Sequence, residues 1–228
     1  MEAGRGLEAV VDVAVERVKR LGKGLVLGLG TGRTSTAFIR RLAEAAEPGM
    51  LEAIIPTSIQ AEEAAARLGF KVGSLYNFGE VDIYVDSFDQ CSRSGDVVKG
   101  MGGALAREKL LTTLARTVLL IGTEEKLSEK LTAPIPLEAL PPAAPAVARL
   151  IQMRGWRVGL KESEGKAGPV ITDNGNVLML AELGVVEEPA RIEVELKMLP
   201  GVVEVGIFPN RGYKVIIGMN DGTVREIT

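Results

Sequence analysis

Short apolar runs alternate with segments of helical periodicity through the first half of the chain. The runs at 24–30, 51–56, 81–87 and 116–122 have the length of strands and are bounded by glycine, proline or polar residues, which predicts four strands. The segment 31–46, which follows the first run, predicts a turn and a helix. Because strands and helices alternate, the sequence predicts a mostly parallel sheet with helices on both faces.

The segment after the second run carries signals for both ends of a helix. Thr57 and Gln60 have the spacing of a capping box, in which two side chains satisfy backbone groups of the first turn. Gly69 fits the glycine that commonly follows the last turn of a helix. A helix is therefore predicted between these positions.

The pattern changes near 133–145, where prolines cluster. From there the predicted elements are, in order, a strand at about 135–140, a helix at about 142–154, strands at 156–161 and 169–180, a helix at 189–199 and a strand at 202–208. This β-α-β-β-α-β order is typical of a ferredoxin-like α+β domain. The tail at 213–227 predicts a hairpin with Asn-Asp-Gly as its turn.

Composition excludes several classes of function. The 228 residues suit one large domain or two modest ones, and the net charge of −3 gives no general attraction for nucleic acid or anionic membranes. Aromatic residues make up only 4%, which also disfavours base stacking. The first residues do not resemble a secretory signal and no apolar run reaches membrane-spanning length, so the expected location is cytoplasmic.

The chain contains no histidine and one cysteine, Cys91. The absence of histidine excludes serine–histidine and cysteine–histidine dyads and every metal site with a histidine ligand. As a nucleophile, the lone thiol would need activation by a lysine or a helix terminus, so a bystander role is favoured. Any proton transfer must therefore use Asp, Glu, Lys, Tyr or this cysteine.

The segment 28–34, Gly-Leu-Gly-Thr-Gly-Arg-Thr, lies between a predicted strand and a predicted helix. Its glycines allow the backbone to approach a ligand closely, and the amides of a helix N-terminus favour an anion. Thr31 and Thr34 add hydroxyl groups, and Arg33 adds a fixed positive charge. The spacing matches neither a Walker A loop nor a complete dinucleotide-binding fingerprint. Phosphate binding is the favoured interpretation, and a tight turn without a ligand is the alternative.

Two aspartates, Asp86 and Asp89, lie where the predicted strand at 81–87 ends. In open α/β sheets, ligands bind beyond the carboxyl ends of the strands, which makes both carboxylates candidates for a site. The alternative is that both aspartates cap turns or helices, a common role of this residue.

A lysine, a glycine-rich loop and a glutamate follow one another after these aspartates. Backbone N–H groups in the loop 100–103 are suited to hold a developing oxyanion. Lys99 is near enough in sequence to Glu108 to keep it ionised or to neutralise an oxyanion. The alternative is a solvated Glu108 that pairs with Arg107 or Lys109 on an ordinary charged helix face.

Three further residues are weaker candidates for a functional role. Tyr84 and Trp156 are interpreted as packing residues. Lys126 ends a Thr-Glu-Glu-Lys segment that starts a helix, and the lysine either reaches an anion or is simply solvated.

Taken in order, these motifs resemble the type A ribose-5-phosphate isomerase family over nearly the whole chain. The family's phosphate loop, Gly-x-Gly-Thr-Gly-Ser-Thr, is similar to 28–34, its Asp-Gly-Ala-Asp-Glu motif to 86–90, and its Lys-Gly-Gly-Gly stretch with a downstream Arg-Glu-Lys to 99–109. Further matches are found in the segments 56–58, 124–131, 135–138, 172–176 and 200–208. A run of ordered and separately specific matches indicates homology.

The resemblance implies an aldose–ketose isomerase that interconverts ribose 5-phosphate and ribulose 5-phosphate through an enediolate, without a metal or organic cofactor. It implies that Glu108 is the catalytic base and that Asp86, Asp89 and Lys99 surround the reacting carbons. The residues that it implies in substrate binding are Thr31, Gly32, Arg33, Thr34, Ser87, Phe88, Gly100, Met101, Gly102 and Lys126.

The resemblance also implies a Rossmann-like main domain and a smaller ferredoxin-like domain. It implies that the protein assembles as a homodimer or homotetramer and that it binds a small-molecule sugar phosphate. Together with the residue pattern, it predicts a Rossmann-like catalytic domain at 1–132 and 209–228 and a ferredoxin-like α+β domain at 133–208.

The chain departs from the family pattern at several expected site positions. Ser87 and Phe88 replace a Gly-Ala pair, and Gln90 replaces an acid. Met101 replaces a glycine, and Arg33 replaces the serine of the phosphate loop. Phe88 and Met101 add bulk beside the expected sugar. Two alternatives therefore stay open, an isomerase for another sugar phosphate and a sugar-phosphate-binding regulator without catalysis.

Overall fold

The computed structural model describes residues 2–165 and 167–227, so the predicted domain limits at 1 and 228 lie outside the described residues. The helices in this part of the chain are α1 (Glu2–Arg20), α2 (Arg33–Ala45), α3 (Ile59–Arg67), α4 (Leu105–Leu114), α5 (Ala144–Gln152) and α6 (Pro189–Lys197). Among the described residues, no helix combines the length and the apolar character needed to cross a membrane.

The described residues also form thirteen strands. They are β1 (Leu25–Leu29), β2 (Leu51–Pro56), β3 (Val81–Ser87), β4 (Gln90–Cys91), β5 (Val97–Val98), β6 (Ala115–Thr123), β7 (Ile135–Ala139), β8 (Arg157–Leu160), β9 (Val177–Glu182), β10 (Val202–Val205), β11 (Ile207–Phe208), β12 (Lys214–Gly218) and β13 (Val224–Ile227). The four strands predicted in the first half of the chain are confirmed as β1, β2, β3 and β6.

The largest sheet has six strands in the order β13-β12-β6-β3-β1-β2. Its neighbouring strands run parallel except for the β12–β13 hairpin, which confirms the predicted α/β class and the predicted C-terminal hairpin. β1 lies between β2 and β3, so the strand order reverses there. The loops that follow β1 and β3 therefore leave the sheet at a switch point, where open α/β sheets bind ligands.

The two faces of this sheet are distinguished by alternation along β1. Leu27 and Leu29 are buried in an apolar cluster with residues of α1, α2 and α3. Gly28 points to the opposite face, where an added Cβ would lie 2.9 Å from the Tyr84 ring and 3.2 Å from Leu111 of α4. Helices therefore cover both faces, as predicted.

The chain divides into two compact units. The first comprises Met1–Phe88, Leu110–Leu127 and Arg211–Thr228 and contains the six-stranded sheet, and the second comprises Asp89–Lys109 and Ser128–Asn210. The second unit contains two antiparallel sheets, β10-β7-β9-β8 and β11-β5-β4. The four-stranded sheet, with α5 and α6, has the predicted ferredoxin-like order of elements. The predicted domain boundaries stay a prediction.

The strand predicted at 169–180 is correct only in its second half. β9 begins at Val177, and residues 172–176 form a turn in which the amide of Thr172 donates to the carbonyl of Asn176 at 2.8 Å. The turn contains Gly175 at φ +80°, a left-handed conformation that a strand does not use. The polar residues of this turn therefore interrupt the predicted strand.

The strand predicted at 202–208 is two strands that belong to different sheets. β10 pairs with β7, β11 pairs with β5, and the break falls at Gly206. An added Cβ at this glycine would lie 2.3 Å from the carbonyl oxygen of Lys99. The amide of Gly206 donates to Pro136 O at 2.7 Å, and its carbonyl accepts from the amide of Lys99 at 2.9 Å. This glycine thus links the two antiparallel sheets of the second unit.

Candidate active site

The loop after β1 brings its backbone against the carboxylate of Asp86 at the end of β3. The amide of Gly30 donates to Val85 O at 2.9 Å. A Cβ built on Gly30 would lie 1.8 Å from Asp86 Oδ1, far inside van der Waals contact. Only glycine therefore fits at this position while the carboxylate keeps its place.

We expect Gly30→Ala to destabilise the protein, because the added methyl group would overlap the Asp86 carboxylate. Overpacking of this kind costs on the order of 1–3 kcal/mol or more, which urea-induced unfolding measures. Gly159→Ala is the matched control, since nothing lies within 4 Å of the Cβ built on that strand glycine. Equal stability of the two variants would contradict the close approach.

The N-terminus of α2 follows the same loop. Gly32 is its N-cap residue, with φ 101° and ψ −175°, a conformation that is essentially restricted to glycine. The amide of Gly32 donates to the Gln60 side chain at 3.0 Å, and its carbonyl accepts the first helical bond from Thr36 at 2.9 Å. Arg33 is exposed and Thr34 is buried. The helix thus presents its amides and a guanidinium at its start, an arrangement suited to an anion.

The hydroxyl of Thr31 belongs to a cluster of hydroxyl groups. It lies 2.8 Å from Thr57 Oγ1 and donates to Ser58 Oγ at 2.7 Å. The predicted capping box with Thr57 is wrong, because Ser58 is the N-cap of α3 and accepts from the amide of Ala61 at 3.1 Å. The amide of Thr57 instead donates to Leu29 O at 2.9 Å. The side chain of Gln60, its predicted partner, accepts from the amide of Gly32 in the loop after β1.

Asp86 is fully buried, and neighbouring donors hold its carboxylate. Ser35 Oγ donates to Oδ1 at 3.1 Å, and the amide of Ser87 donates to the same oxygen at 2.6 Å. The hydroxyl of Tyr84 donates to Oδ2. The interpretation of Tyr84 as a packing residue alone misses this bond, although residues two apart on a strand share one face. These contacts fix the carboxylate at the end of its strand.

The ring of Phe88 is buried within the first unit, with 1% of the residue exposed. It covers Gly122 of β6, where an added Cβ would lie 2.4 Å from the ring carbon Cζ. Lys126 Nζ donates to Phe88 O at 2.7 Å and lies 5.6 Å from the ring centroid. The bulk expected beside a sugar is thus accommodated by a glycine in the sheet, and a role of Phe88 in binding stays a prediction.

A buried ion pair joins the lysine and the glutamate of the second unit. Lys99 Nζ lies 3.3 Å from Glu108 Oε2, with side chains that are 2% and 5% exposed. Glu108 lies in the first turn of α4, where its amide donates to Ala104 O at 2.9 Å. Lys99 Nζ also lies 5.6 Å from the centroid of the Phe208 ring. The alternative interpretation of Glu108 as a solvated residue is therefore wrong.

The charged neighbours of Glu108 bond to other parts of the second unit. Arg107 Nε donates to Asn174 Oδ1 at 2.8 Å. Lys109 Nζ donates to Glu193 Oε1 at 2.5 Å. The alternative in which Arg107 or Lys109 pairs with Glu108 on a charged helix face is therefore wrong. These two residues bond to Asn174 and Glu193 instead, one on each side of the glutamate.

The glycine-rich loop uses several of its polar groups within the second unit. The amide of Met101 donates to the carboxylate of the exposed Asp89 at 3.0 Å. The amide of Gly103 donates to Gly100 O at 2.9 Å, and Lys161 Nζ donates to Met101 O at 2.5 Å. An oxyanion cradle in this loop would therefore depend on its other amides, and the predicted binding by Gly100, Met101 and Gly102 stays a prediction.

Cys91 is fully buried, and its Sγ donates to Ser92 O at 3.2 Å. Burial raises the pKa of this thiol to about 12, and the negative charge of Asp96 adds a smaller effect in the same direction. A thiol that keeps its proton at neutral pH is a poor nucleophile. The structure thus supports the bystander interpretation.

We expect the Cys91 thiol of the folded protein to react with iodoacetamide at pH 8 at least about a hundredfold more slowly than in denaturant. Because the folded chain keeps a proton that the unfolded chain releases above its ordinary pKa of 9.0, stability should fall between about pH 9 and pH 12. Unfolding of Cys91→Ala over this range is the control and should show a smaller loss. A loss as large in the variant would contradict the raised pKa.

The two units offer different chemistry. The second holds a carboxylate beside a cation, both shielded from water, which suits removal of a proton from carbon with stabilisation of charge on oxygen. The first holds hydroxyl groups and a helix N-terminus, which suit an anion. In the described residues, no cluster of three or more potential metal ligands among Cys, Asp and Glu is present.

Comparison with known sequences gives a consistent result. Residues 53–222 match the family model of ribose 5-phosphate isomerase A (phosphoriboisomerase A). A ribose-5-phosphate isomerase A of Natronomonas pharaonis is 41% identical over 199 residues, which cover 87% of this chain and 88% of the relative. The protein of the same name from Archaeoglobus fulgidus is 40% identical over 216 residues, which cover 93% and 94%.

Solved structures share the fold over nearly the whole chain. Ribose 5-phosphate isomerase A from Methanocaldococcus jannaschii is 33% identical with a TM-score of 0.88, covering 96% of this chain and 98% of that one. A D-ribose-5-phosphate isomerase in complex with phospho-erythronic acid is 32% identical with a TM-score of 0.92, covering 99% of both chains.

Proposed function

This chain belongs to the ribose 5-phosphate isomerase A family and is an aldose–ketose isomerase of the pentose phosphate pathway, and we propose that Glu108 is the base with which it interconverts ribose 5-phosphate and ribulose 5-phosphate. The observation that carries this assignment is the buried pair of Glu108 and Lys99, 3.3 Å apart. A shielded carboxylate beside a cation meets the two needs of the reaction, which are a base for a C–H proton and compensation for negative charge on oxygen.

The proposed reaction moves one proton between adjacent carbons. Glu108 takes the proton from C2 of the open-chain aldose, and the electrons of that C–H bond form the C1–C2 double bond of an enediolate. The negative charge on the carbonyl oxygen is balanced by Lys99. Return of the proton to C1 gives the ketose, while the hydroxyl proton on the C2 oxygen moves to the C1 oxygen, so atoms and electrons balance.

The carboxyl groups of Asp86 and Asp89 are proposed to assist at the two oxygens. Asp86 is held by Ser35, Ser87 and Tyr84, which supports a fixed position for its carboxylate. The Asp89 carboxylate accepts from a loop amide and is exposed, which supports exchange of a proton with a ligand. We assign the transfer of the hydroxyl proton to a carboxyl group of this pair.

The phosphate is proposed to bind at the loop Thr31 to Thr34 and near Lys126. The exposed Arg33 and the N-terminal amides of α2 support this assignment, because both favour an anion. A solved relative holds phospho-erythronic acid, a sugar acid that carries a phosphate. Binding the phosphate away from the reacting carbons would orient the sugar and contribute to the rate.

The substrate is tested by assaying ketose formation from ribose 5-phosphate and from other aldose phosphates, such as arabinose 5-phosphate and glucose 6-phosphate. We expect ribose 5-phosphate to have the highest kcat/KM. A higher value for another sugar would favour a reshaped binding site, and the absence of turnover with every sugar would favour a binding protein without catalysis.

The oligomeric state and location complete the proposal. We propose a homodimer or homotetramer in the cytoplasm, on the strength of the family resemblance. Light scattering of the purified protein measures the number of chains, and a monomer at all concentrations would contradict the proposed assembly.

A further inference from the structure

Arg107 directly precedes the proposed base and is fixed at two points. Its Nε donates to Asn174 Oδ1 at 2.8 Å, and its Nη2 donates to Asp173 O at 3.0 Å. Both acceptors lie in the turn 172–176, which is far from Arg107 in sequence. A guanidinium that bonds through two nitrogens is held in orientation as well as in position. The first turn of α4 is therefore tied to this turn.

One buried carboxylate, that of Glu138, holds the turn 172–176 together. Glu138 of β7 is fully buried, and its Oε1 accepts from Thr172 Oγ1 at 2.9 Å, Asn174 Nδ2 at 3.0 Å and Asn176 Nδ2 at 2.7 Å. Its Oε2 is buried and has no hydrogen-bond partner among the described residues. A buried acceptor without a partner costs stability, so packing alone does not explain why an acid stands here.

Glu138 determines which way the amide of Asn174 faces. Because Asn174 Nδ2 donates to the carboxylate, its Oδ1 is the atom that remains for Arg107. A reversed amide would place an NH₂ group against the guanidinium, and two donors cannot bond to each other. Glu138 therefore ensures that Asn174 presents its oxygen to Arg107, which lies on α4 beside the proposed base.

A second anchor on the other side of the base restricts rotation of the helix. Lys109 Nζ donates to Ile207 O at 2.6 Å and lies 4.2 Å from the centroid of the Phe208 ring. Successive residues of an α-helix point about 100° apart, so anchors before and after Glu108 restrict rotation about the helix axis. The direction of the Glu108 side chain is then defined from both sides.

We propose that Glu138, Asn174 and Arg107 form a positioning relay that orients the Glu108 carboxylate for proton abstraction. The relay touches neither substrate nor reacting atoms and acts through the first turn of α4. This inference rests on the proposed role of Glu108 as the base. A displacement of about 1 Å in a catalytic group lowers the rate by up to about a hundredfold, so the relay should affect kcat rather than binding.

The experiment compares Arg107→Ala, Asn174→Ala and the double variant with the wild type. We expect each single variant to lower kcat about tenfold to a hundredfold with KM changed less than about threefold, and the double variant to be no slower than the slower single one. Arg154→Ala is the matched control, since its Nε bonds to Glu195 at 2.8 Å elsewhere in the same unit. Its kcat should equal that of the wild type.

A conservative replacement of Glu138 distinguishes a loss of orientation at Glu108 from a loss of protein stability. Glu138→Gln keeps an acceptor oxygen for the three donors, so kcat should stay within about threefold of the wild type, whereas Glu138→Ala should match Asn174→Ala. If Glu138→Ala does not fold, Arg107→Ala still decides, because Arg107 is only half-buried.

Three outcomes would overturn the relay. They are an unchanged kcat in Arg107→Ala, a raised KM with unchanged kcat, and single effects that multiply in the double variant. Glu108→Gln, measured alongside, keeps the two proposals apart. If it stays active, the proposed base is wrong, and if it is inactive while Arg107→Ala is unaffected, only the relay is wrong.

Discussion

Replacing Glu108 by Gln is expected to lower kcat with ribose 5-phosphate by about 10²- to 10⁴-fold, the usual contribution of a general base. The amide has the shape of the carboxylate but cannot accept the proton from C2. The loss corresponds to about 3–5 kcal/mol of the activation barrier. KM should change little, since the phosphate is proposed to bind through the loop after β1. Steady-state kinetics measures both constants.

Glu187→Gln is the control for this variant. Glu187 also pairs with a lysine, Lys130, at 2.5 Å, but both side chains are more than half exposed. An exposed pair of this kind contributes little, so kcat and stability should remain those of the wild type. Circular dichroism verifies that Glu108→Gln is folded, and a folded variant with kcat within tenfold of the wild type would remove Glu108 from the role of base.

Lys99→Met is expected to lower kcat about 10²- to 10³-fold and to destabilise the protein. The lysine side chain is 2% exposed, and its loss removes the charge that we propose balances the enediolate. It also leaves the Glu108 carboxylate buried without its partner cation, which typically costs about 3–5 kcal/mol.

The double variant Lys99→Met/Glu108→Gln tests the physical reason. With both charges of the pair removed, neither partner is left as an unpaired buried charge, so the double variant should be more stable than Lys99→Met alone. Lys130→Met is the matched surface control and should change neither rate nor stability measurably. A double variant less stable than Lys99→Met would mean that the pair does not couple as its 3.3 Å distance indicates.

Much of the fold is predictable because strands buried on both faces form nearly continuous apolar runs. The strands β1, β2 and β3 begin and end within one residue of the predicted bounds. Helix α1 is not among the predicted elements, although Val10, Ala14 and Val18 recur every four residues and are fully buried. Charged residues lie between these positions, so the segment contains no continuous apolar run, and only its four-residue periodicity indicates the buried helix face.

The site is predictable only where its parts are close in sequence. Lys99 and Glu108 flank a single short loop, so their approach is expected from spacing. Contacts such as Arg107 with Asn174, 67 positions apart, depend on how strands are paired and are not encoded by any local pattern. The same reason explains the shifted cap at Ser58, where neighbouring hydroxyl residues are equally suited and tertiary contacts decide between them.

The burial of the Phe88 ring over Gly122 limits which pairs of residues positions 88 and 122 can hold together. With an added Cβ at 122 only 2.4 Å from the ring, no larger residue can be accepted there while phenylalanine stands at 88. A larger residue at 122 therefore requires a smaller side chain at 88. Among homologous sequences, positions 88 and 122 should covary in volume.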